Sequence, residues 1–289
     1  MSDIRKKIRD VKNNFVYRVF GETFRRVLDE ESRRPGTLRK LYELMYEMHS
    51  RTYLDRPKLI ELRNSSSYQK PFKARNPLVS IRVPTYNRSK ILTQKTIPSF
   101  LNQTYKNIEI VVVGDHCTDD TEERIKKIKD KRVKFYNLPY RGMYPQDMVN
   151  LWRVASTLPA NEGLQLSNGL WIAPCDDDDE FLPNHIETLL KKAQKEKLEF
   201  VYGKALAINV KTGKKQREIG VFPPQHGGYS PHTALFHHGL KFFEYDLTAW
   251  VVEEPGDWNQ CRRMMQAGVK MGFVDEIVTK INYTPKPWL

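Results

Sequence analysis

Along the first thirty positions, Ile4, Ile8, Val11, Phe15, Val19 and Val27 recur at steps of three, four or eight, with Arg5, Lys6, Arg9, Lys12, Arg25 and Arg26 between them. That spacing predicts an amphipathic helix. After the break at Arg33-Arg34-Pro35-Gly36, Thr37 is placed to cap a second helix with Leu38, Leu41, Met45 and Met48 on one face, so the two can form a helical hairpin. Asn64-Ser65-Ser66-Ser67, followed by Pro71 and Pro77, reads as a linker that ends near residue 76. Beyond it the period changes. Strands are predicted at 78–83, 108–113, 133–136, 170–173 and 200–202, and helices at 90–103, 118–131 and 183–195. Strand–helix alternation of this kind implies an α/β fold with a mostly parallel, doubly wound sheet, in which ligands bind beyond the carboxyl ends of the strands.

The chain is 289 residues long, with 39% hydrophobic and 29% charged residues, which suits one large or two modest globular domains. The mean hydropathy is −0.63, no apolar run approaches a membrane span, and MSDIRKKIRD lacks the apolar core of a signal peptide. Cys117, Cys175 and Cys261 are too scattered for a disulfide framework or a structural zinc site, so a reducing cytoplasm is expected. Of the net charge of +13, residues 1–76 carry +9, from 19 Lys and Arg against 10 Asp and Glu. A basic leader can meet nucleic acid or anionic lipid. This one has no Gly-rich, zinc-ligand or RNP-type signature, and its apolar stripe suits docking on its own domain or, through residues 1–30, on an anionic membrane surface better than it suits nucleic acid.

Three predicted strands run into polar residues: Pro84-Thr85-Tyr86-Asn87, then Gly114-Asp115-His116-Cys117-Thr118-Asp119, then Pro174-Cys175 followed by Asp176, Asp177, Asp178, Asp179 and Glu180. Four consecutive carboxylates need counter-charge if they are to be desolvated. A solvated acidic turn capping the next helix is one reading. The other is a Mg²⁺ or Mn²⁺ site completed by phosphates and water, which agrees better with an acidic run that directly follows a core strand in a basic protein.

The segments VSIRVPTYNR, NIEIVVVGDHCTDDT, NEGLQLSNGLWIAPCDDDDEFLPNHIETL and PGDWNQCRRM together resemble family-2 glycosyltransferases with the GT-A fold, over about residues 77–289. The resemblance implies a GT-A, Rossmann-like α/β domain at 77–289, with a nucleotide-sugar-binding half at 77–182 and an acceptor half at 183–289. Residues 1–76 would form a basic helical extension. It also implies an inverting, metal-dependent transfer of sugar from a nucleotide-diphosphate sugar to a hydroxyl of a glycan or lipid-linked acceptor, by an enzyme of the cytoplasm or of the inner membrane face. Nucleotidyl transfer on a related fold is the competing enzyme class, but PTYNRSK offers no glycine-rich phosphate loop. A membrane-binding or nucleic-acid-binding module that acts through the basic leader is the non-enzymatic alternative.

By this resemblance Pro84, Thr85, Tyr86 and Asn87 meet the nucleotide, with Tyr86 as a stacking face, and Asp115 accepts an N–H of the base. Asp176 and Asp177 lie at the ribose and diphosphate. Asp178, with Asp176, holds Mn²⁺ or Mg²⁺, with Asp177 and Asp179 as second choices. Asp257 of Pro255-Gly256-Asp257-Trp258 is the implied general base, with Glu254 and Glu253 as rivals and helix capping as its alternative role. Two departures stand out: Ala160-Asn161-Glu162-Gly163 lacks the preceding Arg of many relatives, leaving Arg153 or Arg141 for the diphosphate, and Gly114 and His116 leave Asp115 alone in its motif. Of His226, His232, His237 and His238, His232 is the first choice for acceptor binding, with Trp258 and Glu254 beside it. Most of the C-terminal aromatics are expected in the core.

Overall fold

The computed structural model describes Arg33 and residues 36–283, and the helix expected over Ile4–Val27 lies outside the described residues. The chain divides into two units, 1–49 and 50–289. Helix α1, Thr37–Ser50, belongs almost wholly to the first, and its Leu41, Leu44 and Met48 are exposed.

The second unit begins at Ser50, ahead of the segment that reads as a linker in the sequence. Helix α2 (Thr52–Asn64) and the short α3 (Lys70–Lys73) pack into the domain rather than tethering it, so the boundary expected near 76 falls at 49/50. Pro57 inside α2 and the serines after it hid the helix from periodicity. Two charge pairs anchor it. Asp55 and Arg263, both fully buried, meet at 2.8 Å, and Arg63 grips Glu199 with paired bonds of 2.7 and 2.8 Å. Tyr68 adds a third bond to Glu199, at 2.7 Å, and its ring joins Phe72, Trp171 and His237 in an aromatic cluster.

The sheet order among the described residues is β3-β2-β1-β4-β8-β6-β9-β5, with β7 on the flank of β6. Strands β1 (Val79–Thr85), β2 (Ile108–Gly114), β3 (Val133–Asn137) and β4 (Trp171–Pro174) are parallel, as the alternation predicted. β1 and β2 are buried along their whole length, which explains the near-continuous Val and Ile content of β2; in β1 Ser80 and Arg82 are buried between Val79, Ile81 and Val83. Strand order reverses about β1, so its carboxyl end faces a crevice. β5 (Glu180–Phe181), β6 (Phe200–Asn209), β7 (Lys215–Ile219), β8 (Ala234–His237) and β9 (Met271–Tyr283) complete the sheet with mixed pairing.

Helix α4 (Ser89–Ile91) passes through a π turn at Leu92–Thr96 into α5 (Ile97–Leu101), close to the predicted 90–103. The charged segment at 118–131 yields only α6 (Thr121–Lys126), since few of its residues have an apolar face to bury. α7 (Met148–Val154), α8 (Thr157–Leu166), α9 (His185–Glu196) and α10 (Gly256–Ala267) complete the set. One core gathers Ile81, Val83, Ile110, Val112, Phe100 and Ile186, and a second gathers Phe200, Tyr202, Phe236, Phe243 and Met264.

Candidate active site

The three polar strand ends meet along one edge. Thr85, the last residue of β1, donates from Oγ1 to Asp177 at 2.7 Å, and its carbonyl accepts from the Asp115 amide at 2.8 Å. Asp115 is buried, accepts from the Gly142 amide at 3.0 Å, and has Arg141 at 3.7 Å. Arg141 also lies 3.8 Å above the ring of the part-exposed Tyr86, so its guanidinium links Tyr86 to Asp115. Asn87 does something else. In the left-handed region at φ 52°, it accepts from the amides of Thr118 and Asp119 at 2.9 and 3.3 Å, which ties the β1 turn to the β2 turn. Its amide is therefore structural here rather than free for nucleotide.

The acidic run does not cap a helix, because β5 separates it from α9. Its four carboxylates share two cationic partners, Arg88 and His232. Arg88 reaches Asp177 at 3.3 Å and also contacts Asp178. His232 stands 3.3 Å from Asp176 and 2.5 Å from Asp179. Asn282 of β9 donates from its amide to Asp179 at 2.8 Å and from its side chain to the Asp178 carbonyl. Desolvation pushes Asp177 up to about 7 and Asp178 up to about 6, the latter with help from Asp179 and against the pull of Arg88. Asp176 goes the other way: its crowded setting opposes ionisation, but His232 and then Arg82 outweigh it and hold the carboxyl at about 2. Burial disfavours the His232 cation, yet Asp176 and Asp179 raise it well above the ordinary imidazole range.

Among the described residues no group of three His, Cys, Asp or Glu side chains is set to clasp a metal as they stand. The donor set nevertheless fits a hard divalent ion: Asp176 and Asp178 both offer carboxylate oxygens, and Asp176 is half exposed. Arg88 stands at Asp178 where a cation would, and would give way to it.

Asp257, in the first turn of α10, accepts from the Trp258 amide at 2.7 Å. Burial raises its pKa above the ordinary carboxylate range; the Trp258 amide and His232 lower it, and Asp176 raises it further. Trp258 stacks on His226 with ring centres 5.7 Å apart. Glu254, expected at the acceptor or as a rival base, is committed elsewhere: Arg262 holds it through paired bonds of 2.7 Å and Asn259 through one of 2.8 Å. It fixes the turn that presents Asp257. Arg153, expected on the diphosphate, instead donates to Asn150 of its own helix at 2.6 Å. His237 is fully buried, with Nε2 at 3.0 Å from the Tyr68 carbonyl, and serves packing.

The sequence reading gave no role to Arg88, although an arginine directly after PTYN in a chain with an acidic run is a readable signal. No motif marks Arg82, and Tyr245 is one of the C-terminal aromatics whose rings were expected in the core or against a sugar.

The glycosyl transferase family 2 model matches residues 80–147 and 160–251, more than half of the chain. The chain belongs to glycosyl transferase family 2. The matched stretches contain Pro84, Thr85, Tyr86, Asp115, the acidic run and His232, and stop before Asp257. Among similar curated proteins, the GalNAc(5)-diNAcBac-PP-undecaprenol beta-1,3-glucosyltransferase of Campylobacter jejuni is 32% identical over 132 residues, 45% of this chain and 38% of that one. The hyaluronan synthase of Pasteurella multocida is 33% identical over 184 residues, 61% of this chain and 17% of that one. The chain thus spans less than half the length of these relatives. Among solved structures, S. aureus TarS 1–349 in complex with UDP-GlcNAc superposes with a TM-score of 0.53 at 18% identity, over 72% of this family-2 chain and 58% of that one, a likeness of GT-A fold.

Proposed function

We propose that this chain is the catalytic portion of an inverting, metal-dependent glycosyltransferase that moves a sugar from a uridine-diphosphate sugar to a hydroxyl of a glycan or lipid-linked acceptor. The observation that supports the reading is the meeting of Tyr86, Asp115 and the acidic run at one sheet edge, with Thr85 on Asp177 and His232 on Asp176 and Asp179. The base stacks on Tyr86 over Pro84 and Thr85, and Asp115 accepts an N–H of its edge. Asp178 and Asp176 would hold Mn²⁺ or Mg²⁺, which when bound offsets charge on the departing diphosphate. Asp257, raised toward working pH by burial, takes the proton of the acceptor hydroxyl as its oxygen attacks opposite the leaving group, and so inverts the anomeric centre.

The TarS complex with UDP-GlcNAc supports a uridine donor, and the undecaprenol-linked substrate named for the Campylobacter relative supports a lipid-linked acceptor. Such an acceptor would place the enzyme at a membrane surface, where the basic residues 1–30 meet anionic lipid at the cytoplasmic face. No helix among the described residues is long and apolar enough to cross a membrane. Titration calorimetry of UDP with and without Mn²⁺ tests the reading. Binding should require the ion and should weaken at least about tenfold in Asp178→Ala, equivalent to about 1.4 kcal/mol. UDP binding indifferent to both would overturn it.

A further inference from the structure

Position 82 lies in the middle of β1, between two other strands, where an apolar residue is the ordinary occupant. It is arginine, 3% exposed. Its main chain is in register with Pro174 of β4, and its carbonyl accepts from the Cys175 amide at 3.0 Å, one residue ahead of Asp176. Its side chain runs beneath α8, where Gly163 leaves it room; a Cβ at Gly163 would stand 2.7 Å from Arg82 Cγ. The guanidinium ends against Tyr245. Nη2 donates to the phenol oxygen at 3.1 Å and Cζ lies 4.9 Å from the ring centre, while Nε and Nη1 have no hydrogen-bond partner.

Tyr245 is itself held in place. Its amide donates to the Asn161 side-chain oxygen at 2.8 Å, and the Asn161 side-chain amide donates to its carbonyl at 2.9 Å. A Cβ at Gly256, the residue before Asp257, would lie 4.0 Å from Tyr245 Cβ. Through its main chain Arg82 therefore touches the strand that delivers Asp176, and through its side chain the tyrosine packed beside the turn that delivers Asp257.

Each buried donor without a partner costs about 1–3 kcal/mol, so a guanidinium with two of them is an expensive replacement for a core aliphatic unless its charge is used. We propose that Arg82 and Tyr245 form a positioning pair for the transferred sugar: Arg82 fixes the phenol oxygen, and the Tyr245 proton is thereby directed into the space between Asp176 and Asp257, where it donates to a hydroxyl of the sugar. A phenol oxygen that accepts from a guanidinium must send its own proton elsewhere. Burial pushes the Tyr245 phenol up and Arg82 pulls it down, while Asp257 and Asp176 push it up again, so the phenol keeps its proton.

The inference rests on the nucleotide-sugar reading, and the test separates the two. The full chain, Tyr245→Phe and Arg82→Met are titrated calorimetrically, in Mn²⁺, with UDP, UDP-glucose and UDP-N-acetylglucosamine. In both variants UDP affinity should stay within about twofold of the parent, while the better UDP-sugar weakens at least about tenfold. The double variant should be no weaker than the worse single one, because one group acts through the other. Unchanged UDP-sugar affinity in Tyr245→Phe overturns the pair, and so does a parallel loss of UDP and UDP-sugar, which marks a purely structural role. If Arg82→Met does not fold, Tyr245→Phe alone decides by the same criteria. A parent chain that does not bind UDP at all overturns the donor reading beneath it.

Discussion

Arg88 makes contact with the carboxylates of both Asp177 and Asp178, from the turn that follows β1. It is the built-in counter-charge of a run that would otherwise repel itself. Arg88→Ala should therefore be less stable than the parent in chelator, and should gain more from Mn²⁺. An extra gain of about 1 kcal/mol corresponds to about 2–4 °C in a chain of this size. Thermal melts of both proteins with EDTA and with Mn²⁺ measure the difference; an equal Mn²⁺ shift in the two would mean that Arg88 and the ion do not share Asp178.

Asp257→Asn keeps the shape and the Trp258 contact but removes the basic oxygen. Sugar transfer should drop by about 10²–10⁴-fold with UDP and Mn²⁺ binding intact. Because Asp257 titrates above the ordinary carboxylate range and must be ionised to act, the acid limb of the pH–rate profile should lie above that range too. Initial rates across pH 4–8 check this, and a limb at ordinary carboxylate pH would remove Asp257 from the role.

The fully buried Asp55–Arg263 pair joins α2 to α10, the helix that carries Asp257. Asp55→Ala leaves a buried guanidinium facing an apolar gap and should lower stability by about 3–5 kcal/mol. By the same logic residues 50–289 should fold alone, whereas residues 77–289, stripped of α2 and α3, should not. Denaturant melts followed by circular dichroism distinguish the two outcomes.

His185, buried against Phe181 with rings stacked at 3.6 Å, is held neutral: burial drives its pKa down to about 3. An unfolded histidine titrates near 6.5, so as pH falls from there toward 3 the unfolded state takes up a proton that the folded state refuses. The stability His185 lends is present above pH 6.5 and is lost on acidification, by about 2 kcal/mol at pH 5. His185→Asn cannot titrate. It should be the weaker protein at pH 7 and should close on the parent by that amount at pH 5, as read from urea midpoints.

Strand positions were legible because β-branched residues dominate Val79–Val83 and Ile108–Val113, broken only by Ser80, Arg82 and Glu109, as a doubly covered parallel strand requires. Their carboxyl ends then placed Thr85, Asp115 and Asp176–Asp179 on one edge, because topology alone sets that edge. What was hidden was hidden by chemistry that no local window contains. Asp55 and Arg263 are 208 positions apart, and nothing near either predicts the other. Glu254 resembled a base until Arg262, eight residues on, was seen to hold it. Arg153 has the right charge for a diphosphate, but its helix turns that charge toward Asn150.

Asn282 sits one residue before the end of β9, on a strand paired along β6 as far as Asn209 opposite Tyr283. Its two bonds to Asp178 and Asp179 make the acidic run only as firm as the zip of that strand. A disturbance that peels the last rungs of β9 from β6 would loosen Asp178 and Asp179 without altering either residue, so the acidic run has a point of failure outside its own stretch of chain.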